Sequence, residues 1–199
     1  MTTSIFAPAS TPKAKSKAEA LDLVTKYADG LRHVRAGWRT RELCVLAASH
    51  WWLSLSYMSD EYTDDPEIAK LAVAQNGYAL KFVSKRLQDD PEIVKIALTQ
   101  NGRALMYASS RLRDSRAIVL IAVARNSLML RFASARLRDD PEIVTRAITQ
   151  DGYMLWFASP RLQDDPEIVR LAVSQDRHAL LHASDRLRND ANFLSTLAK

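Results

Sequence analysis

The 199-residue sequence predicts an all-α fold, an α-solenoid of about six two-helix units, each 25 residues long. Three observations carry that expectation. The phrase Asp-Asp-Pro-Glu-Ile recurs with prolines at Pro66, Pro91, Pro141 and Pro166, spaced 25, 50 and 25 apart, and Arg116 stands in the gap. Within a unit, apolar residues such as Ile93, Val94, Ala97 and Leu98 follow the i, i+1, i+4, i+5 rhythm of one buried helical face. Helices of about ten residues are marginal alone in water, so repeated copies must bury one another's faces.

Residues 1–17 hold Pro8, Pro12, Lys13, Lys15, Lys17 and no acid, a composition expected to form a disordered basic arm. Residues 18–199 are expected to form a single repeat domain. Ser16 to Glu19 spells a capping box before Leu21, Leu23 and Val24, opening a degenerate unit over 18–38. There Leu31, Val34 and Trp38 take the places later held by Leu80, Val83 and Leu87. Repeats in register run over 39–188, and 189–199 is a C-terminal capping helix. Thr196 there occupies a position mostly filled by Leu or Ile, as a terminal stacking face requires.

Each unit justifies its own elements. Asp90 offers the N-cap oxygen, Pro91 suits the first helical position, and Glu92 faces the positive end of the helix dipole. Asn101-Gly102 is expected to end the helix, glycine tolerating a left-handed terminus. A second, shorter helix, of α or 3₁₀ type, turns Ala104, Leu105, Tyr107 and Ala108 inward, and Ser109 to Arg113 returns the chain. With about 8–10 Å between packed helices the array would extend about 50–60 Å.

Asp64-Asp65-Pro66-Glu67-Ile68 through Asn76-Gly77-Tyr78-Ala79-Leu80, with its copies, resembles a family of short tandem helical repeats from microbes catalogued as a domain of unknown function. The resemblance covers about residues 39–188 and implies a helical array with no assigned activity. The spacing is also similar, more loosely, to leucine-rich variant and HEAT-like solenoids. The iron–sulfur cluster associated with the former needs several cysteines, and this chain has one, Cys44.

Several constellations read as scaffold. Arg86, Arg111, Arg136, Arg161 and Arg186 each precede an Asp or Asn by three residues, which suggests an ion pair to the next unit's cap. The series Ser59, Ser84, Ser109, Ser134, Ser159, Ser184 is expected to satisfy backbone groups in the return turn. Phe82, Tyr107, Phe132 and Phe157 hold one inward position, and Cys44 aligns with Val94 as a buried small residue. His50-Trp51-Trp52 reads as N-terminal packing. His178 and His182 lie four apart without an evident third ligand, so no metal is expected. With no phosphate loop, CxxC pair or His-Glu-x-x-His, no catalytic residue and no cofactor are assigned.

Function is sought where outward positions vary while the scaffold repeats. One series runs Lys70, Lys95, Leu120, Thr145, Arg170; a second Tyr78, Arg103, Leu128, Tyr153, His178; a third Lys81, Met106, Arg131, Trp156, Leu181. The unit from Asp114 departs most, with Arg116, Ala117 and Ser127 in place of Pro, Glu and Gly. A non-enzymatic scaffold that binds another protein is therefore expected, through Arg103, Leu120, Arg125, Leu128, Arg131, Tyr153 and Trp156. The alternative is nucleic acid bound by the basic arm with Arg125, Arg131, Arg136 and Arg138. Net charge is +5, of which residues 114–138 supply five Arg against one Asp. The array is expected to be monomeric and cytoplasmic, with no membrane span; the tail is also compatible with delivery into another cell as an effector.

Overall fold

The computed structural model describes residues 6–197 and divides, between Tyr107 and Ala108, into two compact units. Both are helical, with no strand among the described residues. In the first, the long helices are Lys17–Lys26, Arg41–His50, Pro66–Gln75 and Pro91–Gln100. In the second they are Arg116–Arg125, Pro141–Ile148, Pro166–Gln175 and the terminal Ala191–Leu197.

Every full repeat has three parts rather than the two expected. A long helix is followed by a 3₁₀ helix (Gly77–Lys81, Ser127–Phe132, Gly152–Phe157, Arg177–His182) and then by a one-turn return helix such as Lys85–Gln88 or Pro160–Gln163. Within each unit, long helices stack on long helices and 3₁₀ helices on 3₁₀ helices. The core lies between these two layers, where Ile143, Val144, Ala147 and Leu155 are buried.

Capping follows the sequence. Asp65, Asp90, Asp140 and Asp165 accept from the two backbone N–H groups that follow the proline, which itself fills the first helical position. The 3₁₀ helices are capped in the same manner: Asn76, Asn126, Asp151 and Asp176 accept from Tyr78, Leu128, Tyr153 and His178 N–H.

The Asn-Gly pair works differently from expectation. No described glycine has positive φ; Asn76 ends its helix in extended backbone at φ −153°, and Gly77 begins the 3₁₀ helix. Glycine is needed there for space. A Cβ on Gly77 would come within 3.0 Å of the Ala97 carbonyl oxygen in the next long helix, and one on Gly152 would strike the Ala172 oxygen likewise. Ser127 takes the glycine's place at the start of Ser127–Phe132, and the long helix that follows stops at Ile148 after eight residues instead of ten.

The return helices are stapled laterally. Ser84 donates its backbone N–H to Thr63 O at 3.0 Å and its hydroxyl to the Asp64 carboxylate. Arg86 adds Nε to that carboxylate at 3.1 Å and Nη2 to the Asp64 carbonyl at 2.7 Å. Ser134 and Arg136 repeat this on Asp114, Ser159 and Arg161 on Asp139, and Ser184 and Arg186 on Asp164. The expected pairing with the following cap is thus corrected. Stacking brings the preceding return turn over the arginine, whereas the Asp three residues on ends the arginine's own turn.

Residues 6–16, expected as a free arm, carry contacts of their own. Ala7 N–H donates to Asp29 at 2.7 Å, Ala14 is buried and donates to His33 O at 2.9 Å, and Phe6 meets Trp51 edge-on. These few bonds hold the segment against the first repeats. The rest of the expected arm, residues 1–5, lies outside the described residues. The His50-Trp51-Trp52 stretch packs as anticipated, with Trp52 against Phe82.

Candidate recognition face

A 3₁₀ helix turns every three residues, so residues i and i+3 emerge on the same side. Tyr153 and Trp156, Leu128 and Arg131, and His178 and Leu181 therefore form three successive pairs on stacked 3₁₀ helices of the second unit. Scaffold residues behind them are buried: Met129 and Leu130, Met154 and Leu155, and Ala179. What remains outside is large and apolar. Trp156 is 55% exposed, Tyr153 44% and Leu181 65%.

The pairs interlock through the residue that follows each. The His182 ring stands 4.8 Å from Tyr153 and 5.0 Å from Trp156, steeply inclined to both. Tyr153 also meets Phe157 at 6.3 Å. His182 takes the place of the half-buried aromatics Phe132 and Phe157, and its Nδ1 is enclosed without a hydrogen-bond partner. Burial holds its pKa below the usual histidine value, against the opposing pull of the Asp176 carboxylate. Asp176 instead receives His178, through both backbone N–H and ring Nδ1.

Positive charge enters at one edge. Arg131 is exposed, lies over the Phe132 ring at 5.0 Å, and has no ion-pair partner among the described residues. Arg136 is committed to Asp114, and Arg138 is half-buried with its Nε enclosed. Arg116 is also structural. It reaches forward to Asp140 at 2.9 Å and to Glu142, as Arg41 reaches Asp65 and Glu67. Hydrogen bonds that Arg116 donates to Asp140 and Glu142 raise its pKa above the ordinary value. Both arginines stand where other units have proline, so the most divergent unit exchanges a favourable first helical residue for a link to its neighbour.

The residues expected to bind a partner thus separate. Leu128, Arg131, Tyr153 and Trp156 share the 3₁₀ layer. Leu120, half-buried, and Arg125, exposed, belong to the long helix Arg116–Arg125 in the other layer. Arg103 lies in the first unit, where it hydrogen-bonds the Tyr78 hydroxyl oxygen and holds the Tyr78 pKa below its ordinary value. Leu181 and His182 complete the face and were not among the expected site residues. Their signal was the 25-residue offset from Trp156 and Phe157.

Cys44 is fully buried and burial pushes its thiol up to about 12, the opposite of what a nucleophile needs. Among the described residues no three His, Cys, Asp or Glu side chains are placed to hold a metal ion, and no helix is long and apolar enough to cross a membrane.

A family model described as "Domain of unknown function (DUF4116)" matches residues 40–88, 65–113, 90–138, 115–163 and 140–188. Successive matches step by one repeat and each spans two adjacent repeats, enough to include a staple such as that of Ser84 with Asp64. No curated protein and no solved structure matches the chain.

Proposed function

The chain belongs to the DUF4116 family, and on that footing we propose that it is a non-enzymatic helical-repeat module that binds another protein through the 3₁₀ face of its second unit. One observation carries the reading: Tyr153, Trp156 and Leu181 stand exposed side by side on a scaffold whose other apolar residues are mostly enclosed. Large exposed aromatics beside an arginine have the composition of interaction hot spots. Repetition of one scaffold with varied outward residues supports binding over catalysis, since solenoids write specificity in such positions.

The nucleic-acid alternative draws less support. Of Arg125, Arg131, Arg136 and Arg138, one is occupied by Asp114, one is half-buried, and the remaining two emerge from different layers.

Affinity capture with the purified chain, run beside its Trp156→Glu variant, tests the proposal. A protein retained by the wild type and lost by the variant, with unchanged helical melting, is the expected result. Equal retention by both chains would remove the 3₁₀ face as the site.

A further inference from the structure

A cavity of about 240 Å³ opens in the second unit between one return helix and the end of the next 3₁₀ helix, lined by Ser110, Arg113, Phe132, Ala133 and Ser134. A water takes about 30 Å³ in the liquid, so a small ion fits. The cation of this cavity is uncommitted. Arg113 is half-buried, its Nε–H is enclosed without an acceptor, and its guanidinium makes no hydrogen bond or ion pair among the described residues. The Ser110 hydroxyl is likewise without a partner among them. Asp114, next in the chain after Arg113, is already engaged by Ser134 and Arg136.

The scaffold does not call for arginine at this position. Other repeats place Gln88 and Gln163 there, and both tie down their own 3₁₀ helix. Gln88 donates to Leu80 O at 3.1 Å and to Val83 O at 3.2 Å; Gln163 donates to Leu155 O at 3.1 Å and to Trp156 O at 3.2 Å. Arg113 makes no such bond, although an enclosed charged donor without an acceptor is unfavourable. Arg138 repeats the substitution, again with its Nε unpaired.

The Arg113 step differs from the rest in its surroundings. Arg131 lies over the Phe132 ring, a wall of the cavity, at 5.0 Å. At the Gln88, Arg138 and Gln163 steps, Met106, Trp156 and Leu181 stand in the place of Arg131, and Lys85, Ala135 and Pro160 in that of Ser110. Two uncommitted cations and a free hydroxyl therefore meet at the Arg113 step alone among these. A guanidinium fork bonds a tetrahedral oxyanion through parallel N–H groups, and a hydroxyl adds one more donor. A phosphate monoester carries about −1.5 to −2 at pH 7, which suits two positive charges better than the single charge of a carboxylate.

We infer that the cavity bounded by Ser110, Arg113 and Phe132 is a phosphate-binding site, with Arg113 and Ser110 as donors and Arg131 adding charge from over the Phe132 ring. The site shares Arg131 with the 3₁₀ face but does not rest on the protein-binding reading.

Titration calorimetry of the intact chain with inorganic phosphate, in low-salt buffer, tests the inference. Saturable binding is expected. Arg113→Gln installs the residue of the sister repeats, so it should fold normally while weakening binding about tenfold or more through the lost charge-assisted bonds. Ser110→Ala, an exposed change, should also weaken binding, and Arg138→Gln should leave it unaltered. Equal binding of phosphoserine would extend the site to esterified phosphate; binding of inorganic phosphate alone would restrict it to the free ion. No saturable binding, full affinity in Arg113→Gln or Ser110→Ala, or an equal loss in Arg138→Gln would each overturn the inference. Displacement of phosphate by acetate at equal concentration would overturn it too, and mark the cavity as a carboxylate site.

Discussion

Gly152 shows how much one missing methyl can decide. Its Cα faces the Ala172 carbonyl so closely that any Cβ would strike backbone, which cannot rotate away. Gly37, by contrast, has no heavy atom within 4 Å of where a Cβ would sit, and its φ is not positive. Gly152→Ala is therefore expected to cost about 1–3 kcal/mol through overpacking. Gly37→Ala should be neutral or stabilise by up to about 1 kcal/mol, by restricting the unfolded chain. Urea denaturation of both variants beside the wild type checks this; equal midpoints for the two would refute the spatial account. The sequence signalled that glycine matters after the long helix, but it suggested a turn conformation. Only the neighbour's position reveals the cause.

At the scale of the element, the return-turn staple is the repeated bond between copies. The Ser hydroxyls lower the pKa of Asp64, Asp114, Asp139 and Asp164, and their arginines lower it further. A carboxylate with its folded pKa below its unfolded value of about 3.9 stabilises the fold above that value. The contribution is lost as pH falls through the folded pKa. Stability is thus expected to drop below about pH 4, and Asp164→Asn, which keeps an acceptor for Ser184 but loses the charge, should flatten that drop. Urea titrations at several pH values measure it; an unaltered acid profile in Asp164→Asn would exclude this staple as a source. The ion pairs are exposed, so each contributes little singly. Their recurrence was legible in the sequence as Ser-x-Arg-Leu, but their direction was not. Sequence distance favoured the Asp three residues ahead, and stacking selected the one 22 behind.

At the scale of the whole molecule, stability within each unit should follow the logic of a stacked array. Within its own unit, Pro66–Gln75 packs between two long helices, as does Pro166–Gln175, whereas Lys17–Lys26 and Ala191–Leu197 each pack against one. Native-state hydrogen exchange is expected to be slowest in Pro66–Gln75 and Pro166–Gln175 and faster toward Lys17–Lys26 and Ala191–Leu197. Uniform protection along the chain would contradict nearest-neighbour stabilisation. The same dependence on neighbours creates the candidate face. Leu128, Arg131, Tyr153 and Trp156 were recognisable as variable positions on a fixed period. Leu120 and Arg125 looked equivalent to them because periodicity within a helix reveals burial without revealing which layer an exposed residue serves.

The sequence by itself determined the repeat, its helical character, the caps and the inward residues, because these depend on contacts within a few residues or on exact repetition. Tertiary structure alone decided which carboxylate each arginine meets, why glycine is required, and that the His182 ring stands against both Tyr153 and Trp156. Those outcomes depend on how one copy rests against the next, a distance of 20 or more residues along the chain. Local chemistry builds the unit; lateral packing turns identical units into a surface on which differences can be read.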